Sequence, residues 1–279
     1  ISGRRTYIDI LVKPFVRDTS PFKGSGYYFY DFNAKFNYRF SDKDRVFLSG
    51  YYGKDVFTFK STESNFTMKI PWGNGMVSAR WNHLFNSRFF LNSTAVFSDY
   101  QFSTDVGMKN EDGSDGFRLI QNSGIRDFNF KQDFTWLPNP KHTVKFGMFY
   151  VYHIFTPNTV NADFGDMEYN FNGRNRQYAH EAAVYIGDDF IINDIISVYG
   201  GFRFAGFFQS GPFTRYIKDQ NNLQTIDSVM YGKNALVCDY YSPEPRFSMK
   251  ISTGKTSSVK LSFMQNNQFI HLASLSAST

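Results

Sequence analysis

Five histidines, one cysteine and a dispersed set of charges are the residues of this chain best suited to chemistry. The histidines are His83, His142, His153, His180 and His271. No two of them share a strand face or helix turn at metal-ligand spacing. Cys238 stands without a CxxC partner and cannot close an intrachain disulfide, so it reads as a small apolar residue. No serine, histidine and acid stand out in an order that suggests an activated nucleophile. The sequence therefore predicts no metal site, no cofactor and no catalytic residue, and a protein that is not an enzyme.

Charges of both signs recur instead at even spacing. Asp31, Lys35 and Arg39 form one such set, and Asp127, Lys131 and Asp133 another. Arg80, Glu181, Arg203, Arg246, Lys250 and Lys260 extend the pattern. Even spacing puts such groups on one face of a strand. A mixed-charge face of this kind can line an aqueous lumen, tune ion passage or hold an inserted domain by hydrogen bonds. Two polar stretches carry aromatic and basic residues suited to stacking on sugars or macrocycles. Phe213, Arg215, Tyr216, Lys218 and Tyr231 lie in 211–240; Phe164, Tyr169, Phe171 and Arg174 lie in 157–176. No substrate-binding residue is singled out among them.

The elements that carry these residues are set by a period of two. In 28–40 the even positions are Tyr28, Tyr30, Phe32, Ala34, Phe36, Tyr38 and Phe40. The odd positions between them are mostly polar, from Asp31 and Asn33 to Asn37 and Arg39. A helix would mix the two sets around its circumference; a strand separates them. The pattern returns in 126–136, 144–154 and 196–208, then around Phe247, Met249 and Ile251, and around Val259, Leu261 and Phe263. Weaker versions cover 45–57, 76–85, 89–100 and 177–186. With an opening strand over 5–12, the sequence predicts about eleven strands.

Tight links of turn residues stand at Ser41-Asp42-Lys43-Asp44, Asn86-Ser87-Arg88, Pro138-Asn139-Pro140-Lys141, Ile192-Asn193-Asp194 and Thr253-Gly254-Lys255. Longer polar links are predicted at 17–26, 60–74, 105–116, 157–176 and 211–240. Short and long links alternate, so every neighbouring pair is an antiparallel hairpin with all short turns at one end. Strands of this length exceed the ~5–6 residues usual in soluble sandwiches and suit the ~9–11 residues of a tilted membrane strand. The expectation is an all-β, antiparallel, up-and-down transmembrane β-barrel with aromatic girdles. A passive outer-membrane porin, an envelope β-barrel enzyme and a soluble carbohydrate-binding β-sandwich are the alternatives.

Composition agrees. Aromatic residues make up 19% of 279 residues, whereas leucine occurs 11 times, which favours strands over helices. No apolar run reaches the ~18 residues of a transmembrane helix. A net charge of +5, with no dense basic run, gives no reason to expect nucleic acid as a partner. Bacterial single-chain barrels have an even strand number, and an open sheet in lipid leaves unpaired edges. An odd count, a strand-like start at Ile1 and a Ser/Ala/Thr tail over 272–279 lead us to expect an internal piece of a larger barrel.

Several segments also resemble a known family. Ser2-Gly3-Arg4-Arg5-Thr6-Tyr7-Ile8-Asp9 and Tyr30-Asp31-Phe32-Asn33-Ala34-Lys35 are similar to barrel segments of TonB-dependent outer-membrane receptors. So are 45–57 (RVFLSGYYGKDVF), Arg80-Trp81-Asn82-His83 and Glu244-Pro245-Arg246. The subfamily they resemble carries a carboxypeptidase-regulatory-like domain ahead of its plug. The resemblance implies that 1–279 is one partial barrel domain of a 22-stranded barrel, with the plug and remaining strands absent. It implies a Gram-negative outer-membrane location with long loops extracellular. The implied partners are outer-membrane lipid, the plug domain and the rest of the same barrel, the TonB complex and a small nutrient ligand.

Overall fold

The computed structural model describes residues 1–16, 20–21, 23–110, 113–164, 167–171, 176–219 and 224–270. Its elements in chain order are β1 (Ser2–Arg5), α1 (Ile8–Val12), β2 (Gly26–Arg39), β3 (Asp44–Ser61), β4 (Phe66–Asn86), β5 (Phe89–Lys109) and β6 (Asp115–Asn139). There follow β7 (His142–Phe164), β8 (Met167–Phe171), β9 (Gln177–Ile191), β10 (Ile196–Ser210), β11 (Phe213–Lys218), β12 (Thr225–Tyr231), β13 (Leu236–Ser252) and β14 (Ser258–Met264). Eleven strands form one continuous antiparallel path, β1-β2-β3-β4-β5-β6-β7-β9-β10-β13-β14. β8 pairs onto β7, and β11 with β12 makes a separate hairpin.

The expected all-β, up-and-down antiparallel fold is present, and the path has the expected eleven strands. Two expectations are corrected. The opening strand is confined to Ser2–Arg5, and Ile8–Val12 is a turn of helix that buries no side chain. A short apolar run has no periodicity to separate strand from helix. The stretches predicted as long loops are mostly strand. β3 and β4 continue to Ser61 and Phe66, so only 62–65 is a turn there, and β11 and β12 occupy much of 211–240. These stretches are rich in Gly, Pro, Asn, Asp and Ser, and segments such as Pro71-Trp72-Gly73-Asn74 read as loop although Phe66, Met68, Ile70 and Trp72 alternate with Thr67, Lys69 and Gly73. The tail over 272–279 and Arg174 lie outside the described residues.

The register fixes two faces. Directly opposed residues share a face, and the chain Asp31↔Gly53↔Asn74↔Tyr100↔Ile125 carries one face from β2 to β6. Asp127↔His153↔Ala179 and Arg203↔Glu244 continue it to β13. This inner face holds all twelve charges singled out by spacing, from Asp31 to Lys260. It also holds most of the few buried apolar side chains, including Val151, Phe155, Ala179, Ala183, Ala205 and Phe207.

The outer face is apolar and exposed. Phe32 is 57% exposed, Phe36 59%, Val184 59% and Leu261 63%. On β6 its positions are Phe128, Phe130, Gln132, Phe134 and Trp136, and Gln132 satisfies its amide on the Ser93 hydroxyl at 3.0 Å. Nine residues at ~3.3 Å each, tilted by ~40°, give a band of about 23 Å, close to the ~25 Å of a barrel's lipid belt. Above it sit Arg126 and Asp99, paired at 2.6 Å, beside a row of tyrosines: Tyr30, Tyr52, Tyr152 and Tyr178. At its lower rim sit Trp136, Phe85 and Trp81, whose indole donates to Asp44 at 3.1 Å. Amphipathic aromatics at both rims are the arrangement that an apolar layer with polar boundaries favours.

A charge is therefore tolerated on one face and not the other. Phe130→Arg, at mid-band, is expected to destabilise the folded protein by about 2–4 kcal/mol, and Asn37→Arg on the inner face by less than about 1. Urea unfolding in phospholipid vesicles measures both; equal costs would show that the outer face does not meet lipid.

Candidate functional site

The inner face of β6, β7, β9, β10 and β13 carries the densest polar chemistry of the described residues. Strand pairing alone sets it up, because Arg203 lies directly opposite Glu244 and Asp127 opposite His153. The contacts then run across five strands. His153 Nδ1 meets Asp127 Oδ1 at 2.8 Å, and its Nε2 lies 3.9 Å from Glu181. Arg203 spans Glu181 at 3.3 Å and Glu244 at 2.9 Å, and Arg246 takes the second Glu244 oxygen at 3.4 Å. Acidic and basic or ring nitrogen groups thus alternate along the wall from Asp127 to Arg246. Next to this ladder Lys131 pairs with Asp133 at 2.9 Å, and the Tyr185 hydroxyl donates to the same Asp133.

Glu244 is 1% exposed, which only a paired carboxylate tolerates. The segment 265–270, which follows β14, covers it. Gln265 N–H donates to the Pro245 carbonyl at 3.2 Å, and Asn266 accepts from Arg246 at 3.0 Å. Asn267 donates from its backbone to Glu244 and from its amide to the Ser242 hydroxyl. Phe269 then stacks on Phe207 with centroids 5.6 Å apart, and Ile270 packs on the same cluster of Phe155, Ala179 and Phe207. Polar groups come first and apolar ones after, so the segment both satisfies the ladder and shields it from water.

Elsewhere the inner face is more open and more basic. Towards the short turns Arg39 lies directly opposite Arg45, and Lys250 opposite Lys260. The Arg80 guanidinium sits over the Phe47 ring at 4.5 Å. Near the other end of the sheet Arg4 pairs with the buried Asp31.

The charges foreseen from spacing share one face, but only Asp127, Glu181, Arg203 and Arg246 of them join the ladder. Sequence reading names His153 and Glu244 but gives neither a place on the charged face. Both were within reach of the alternation: His153 is the odd neighbour of the apolar Tyr152 and Ile154, and Glu244 is two residues from Arg246. The other described histidines serve structure on the outer face. His83 meets Asp44 at 2.7 Å, His142 meets Asp188 at 2.6 Å, and His180 meets the Tyr150 hydroxyl at 2.7 Å. Cys238 donates to Gln209 at 3.3 Å. Among the described residues no group of three or more His, Cys, Asp or Glu is placed to hold a metal. On the β11–β12 hairpin, Phe213, Arg215 and Tyr231 fall on one face and Tyr216 on the other, so those residues do not converge.

No family model matches the chain, and no curated protein sequence does. Solved structures do. The ferric-catecholate import receptor Fiu from E. coli K12, in its closed form, aligns over 94% of this chain and 45% of its own, with TM-score 0.60 at 10% identity. The copper transporter OprC aligns over 85% and 36%, with TM-score 0.57 at 8% identity. The ferric preacinetobactin receptor BauA from Acinetobacter baumannii aligns over 86% and 40%, with TM-score 0.53 at 8% identity. The sheet has the fold of the barrel walls of these proteins. The chain spans less than half the length of each of these structures.

Removing one member of the ladder weakens its neighbours. Glu244→Ala takes from Arg246 its carboxylate and from Arg203 one of its two, and is expected to cost about 3 kcal/mol, whereas Lys145→Ala, at the exposed Lys145–Asp189 pair, costs less than about 1. Urea unfolding midpoints of the two variants against the parent measure the difference.

Proposed function

We propose that this chain is part of the barrel wall of a TonB-dependent outer-membrane receptor that imports a scarce nutrient with energy from the TonB complex. The observation that carries the reading is the pairing of one apolar, girdled face with one charged face on strands that follow the wall of known import receptors. An exposed apolar face this large is stable only against lipid or a partner. A wall so rich in paired charge on its other side suits a lumen filled by polar protein rather than a hydrophobic core.

Residues 1–279 form one barrel domain in this reading. The remaining strands of a larger barrel, 22 in all, pair with the free edges of β1 and β14. A plug domain meets the charged inner face, and the long hairpins β3–β4 and β5–β6 stand on the extracellular side of a Gram-negative outer membrane. Segments such as 45–57 and Glu244-Pro245-Arg246 support the subfamily with a carboxypeptidase-regulatory-like domain. The import function is a transport role, without catalysis.

Two measurements test this. In planar bilayers the intact protein is expected to show no steady ion conductance, because a plugged receptor is closed at rest; a stable ohmic pore would establish the passive porin instead. In cells, deleting TonB is expected to abolish growth on whichever nutrient requires this gene. Solubility at high concentration without detergent would establish a soluble sandwich and overturn both membrane readings.

A further inference from the structure

The outer face is not uniformly convex and apolar. Immediately above the lipid band, across β3 to β7, it holds a basin of about 610 Å³. Its floor is made by missing side chains. Lys54↔Gly73↔Gln101↔Gly124↔Thr156 is one continuous row of opposed residues, and Tyr52↔Gly75↔Asp99↔Arg126↔Ile154 is the row below it. Both rows have the parity of Phe128 and Phe130, so they point the same way as the lipid-facing aromatics. Three of the ten positions are glycine, and the longer side chains around them form the walls.

The glycines at the centre are not interchangeable with other residues. A Cβ on Gly73 would come within 2.9 Å of the Gly53 carbonyl, and one on Gly124 within 2.8 Å of the Tyr100 carbonyl. On Gly75 a Cβ meets Tyr52 at an ordinary 3.7 Å, so that position admits a side chain that fills the basin.

The charge of the basin is positive. Arg126 is matched by Asp99 through two contacts, at 3.1 and 2.6 Å. Lys54, half-buried on the upper row, and Arg176, at the margin, make no ion pair among the described residues, and both line the basin. Gln101, Asn122 and Thr156 add neutral hydrogen-bonding groups. Below lies apolar surface wide enough for acyl chains; at the height of the tyrosine row lies a concave site with two uncompensated cations. That order, apolar below and cationic at the headgroup level, matches a phosphorylated amphiphile read from tail to head.

We propose that this basin binds the anionic, phosphate-bearing headgroup of a membrane lipid. Lys54 and Arg176 take the phosphate, Gln101 and Asn122 hold its polar substituents, and the acyl chains lie on Tyr52, Phe97 and Phe128 beneath. The glycine floor lets the headgroup approach the strand backbone. The inference rests on the membrane reading of the outer face.

The test uses the intact protein in a neutral detergent, exchanged with equimolar phosphatidylglycerol and phosphatidylcholine and then examined by native mass spectrometry. The expected result is about tenfold preferential retention of phosphatidylglycerol, lost in the double variant Lys54→Ala, Arg176→Ala and in the basin-filling Gly75→Leu. The two variants fail in different ways, one by charge and one by space, and circular dichroism confirms that each retains its strand content. Inorganic phosphate added in excess is expected to leave retention unchanged, since a soluble anion lacks the chains. Displacement by phosphate alone would reassign the basin to a free anion and overturn the lipid. Equal retention of both lipids, or an undiminished preference in both variants, would overturn the proposal while the membrane reading stands. Solubility without detergent would overturn the membrane reading and this proposal with it.

Discussion

A peptide group in hydrocarbon has no water to bond to, so each N–H and C=O must find its partner in the chain itself. On this sheet one unbroken ladder, β1 through β14 by way of β9, β10 and β13, meets that requirement between its strands, each antiparallel to the next, and leaves the outer edges of the sheet unpaired. Once the ladder is fixed, side chains have only two directions to take. The outward set is apolar and the inward set is charged and polar. The band height, the girdles, the inner charge ladder and the outer basin all follow from that single partition. The interior of the molecule, in the sense of a soluble protein, is nearly absent: the cluster of Phe155, Ala179 and Phe207 is small, and among the described residues few large apolar side chains are buried.

The partition explains what was legible in the sequence. Between Tyr28 and Arg39 the two environments differ so strongly that residue type alone separates them, and the strand and its faces follow. The same contrast located β6, β7 and β10, and the tight turns at the other end of each. Towards the long hairpins the strands take on turn residues. Ser61 to Asn65 and Pro71-Trp72-Gly73-Asn74 read as breakers on either side of the alternating Phe66 to Ile70, and a long hairpin looks like a loop. Ile8–Val12 was lost for a different reason, since five residues, four of them apolar, hold little more than one turn of a helix.

The candidate site was legible in half. Its face could be read from spacing, because parity is a local property. Its partners could not, because Arg203 and Glu244 are 41 residues apart and Asp127 and His153 are 26 apart. Which cation meets which carboxylate depends on the register of each hairpin, and a bulge between Asn122 and Gly124 shifts that register by one. The role of 265–270 was invisible altogether. A run of Gln, Asn and Asn announces a loop, and only the buried Glu244 shows why those amides are placed there.

The inner wall also has a vertical electrical profile. At the height of the ladder each positive group is answered by a negative one within hydrogen-bond range, so the field there is short-ranged. Nearer the short turns the opposed residues are Arg39 with Arg45 and Lys250 with Lys260, like charges face to face. Repulsion of this kind costs stability in an isolated hairpin. Along the wall it makes a slope of charge towards the basic short-turn end, eased at Arg39 by its ion pair with Asp42 at 2.6 Å. Ordinary salt screens such a slope over about 8 Å, which confines it to the water nearest the wall. The two ends of this sheet are thus electrically distinct surfaces joined by a neutral middle.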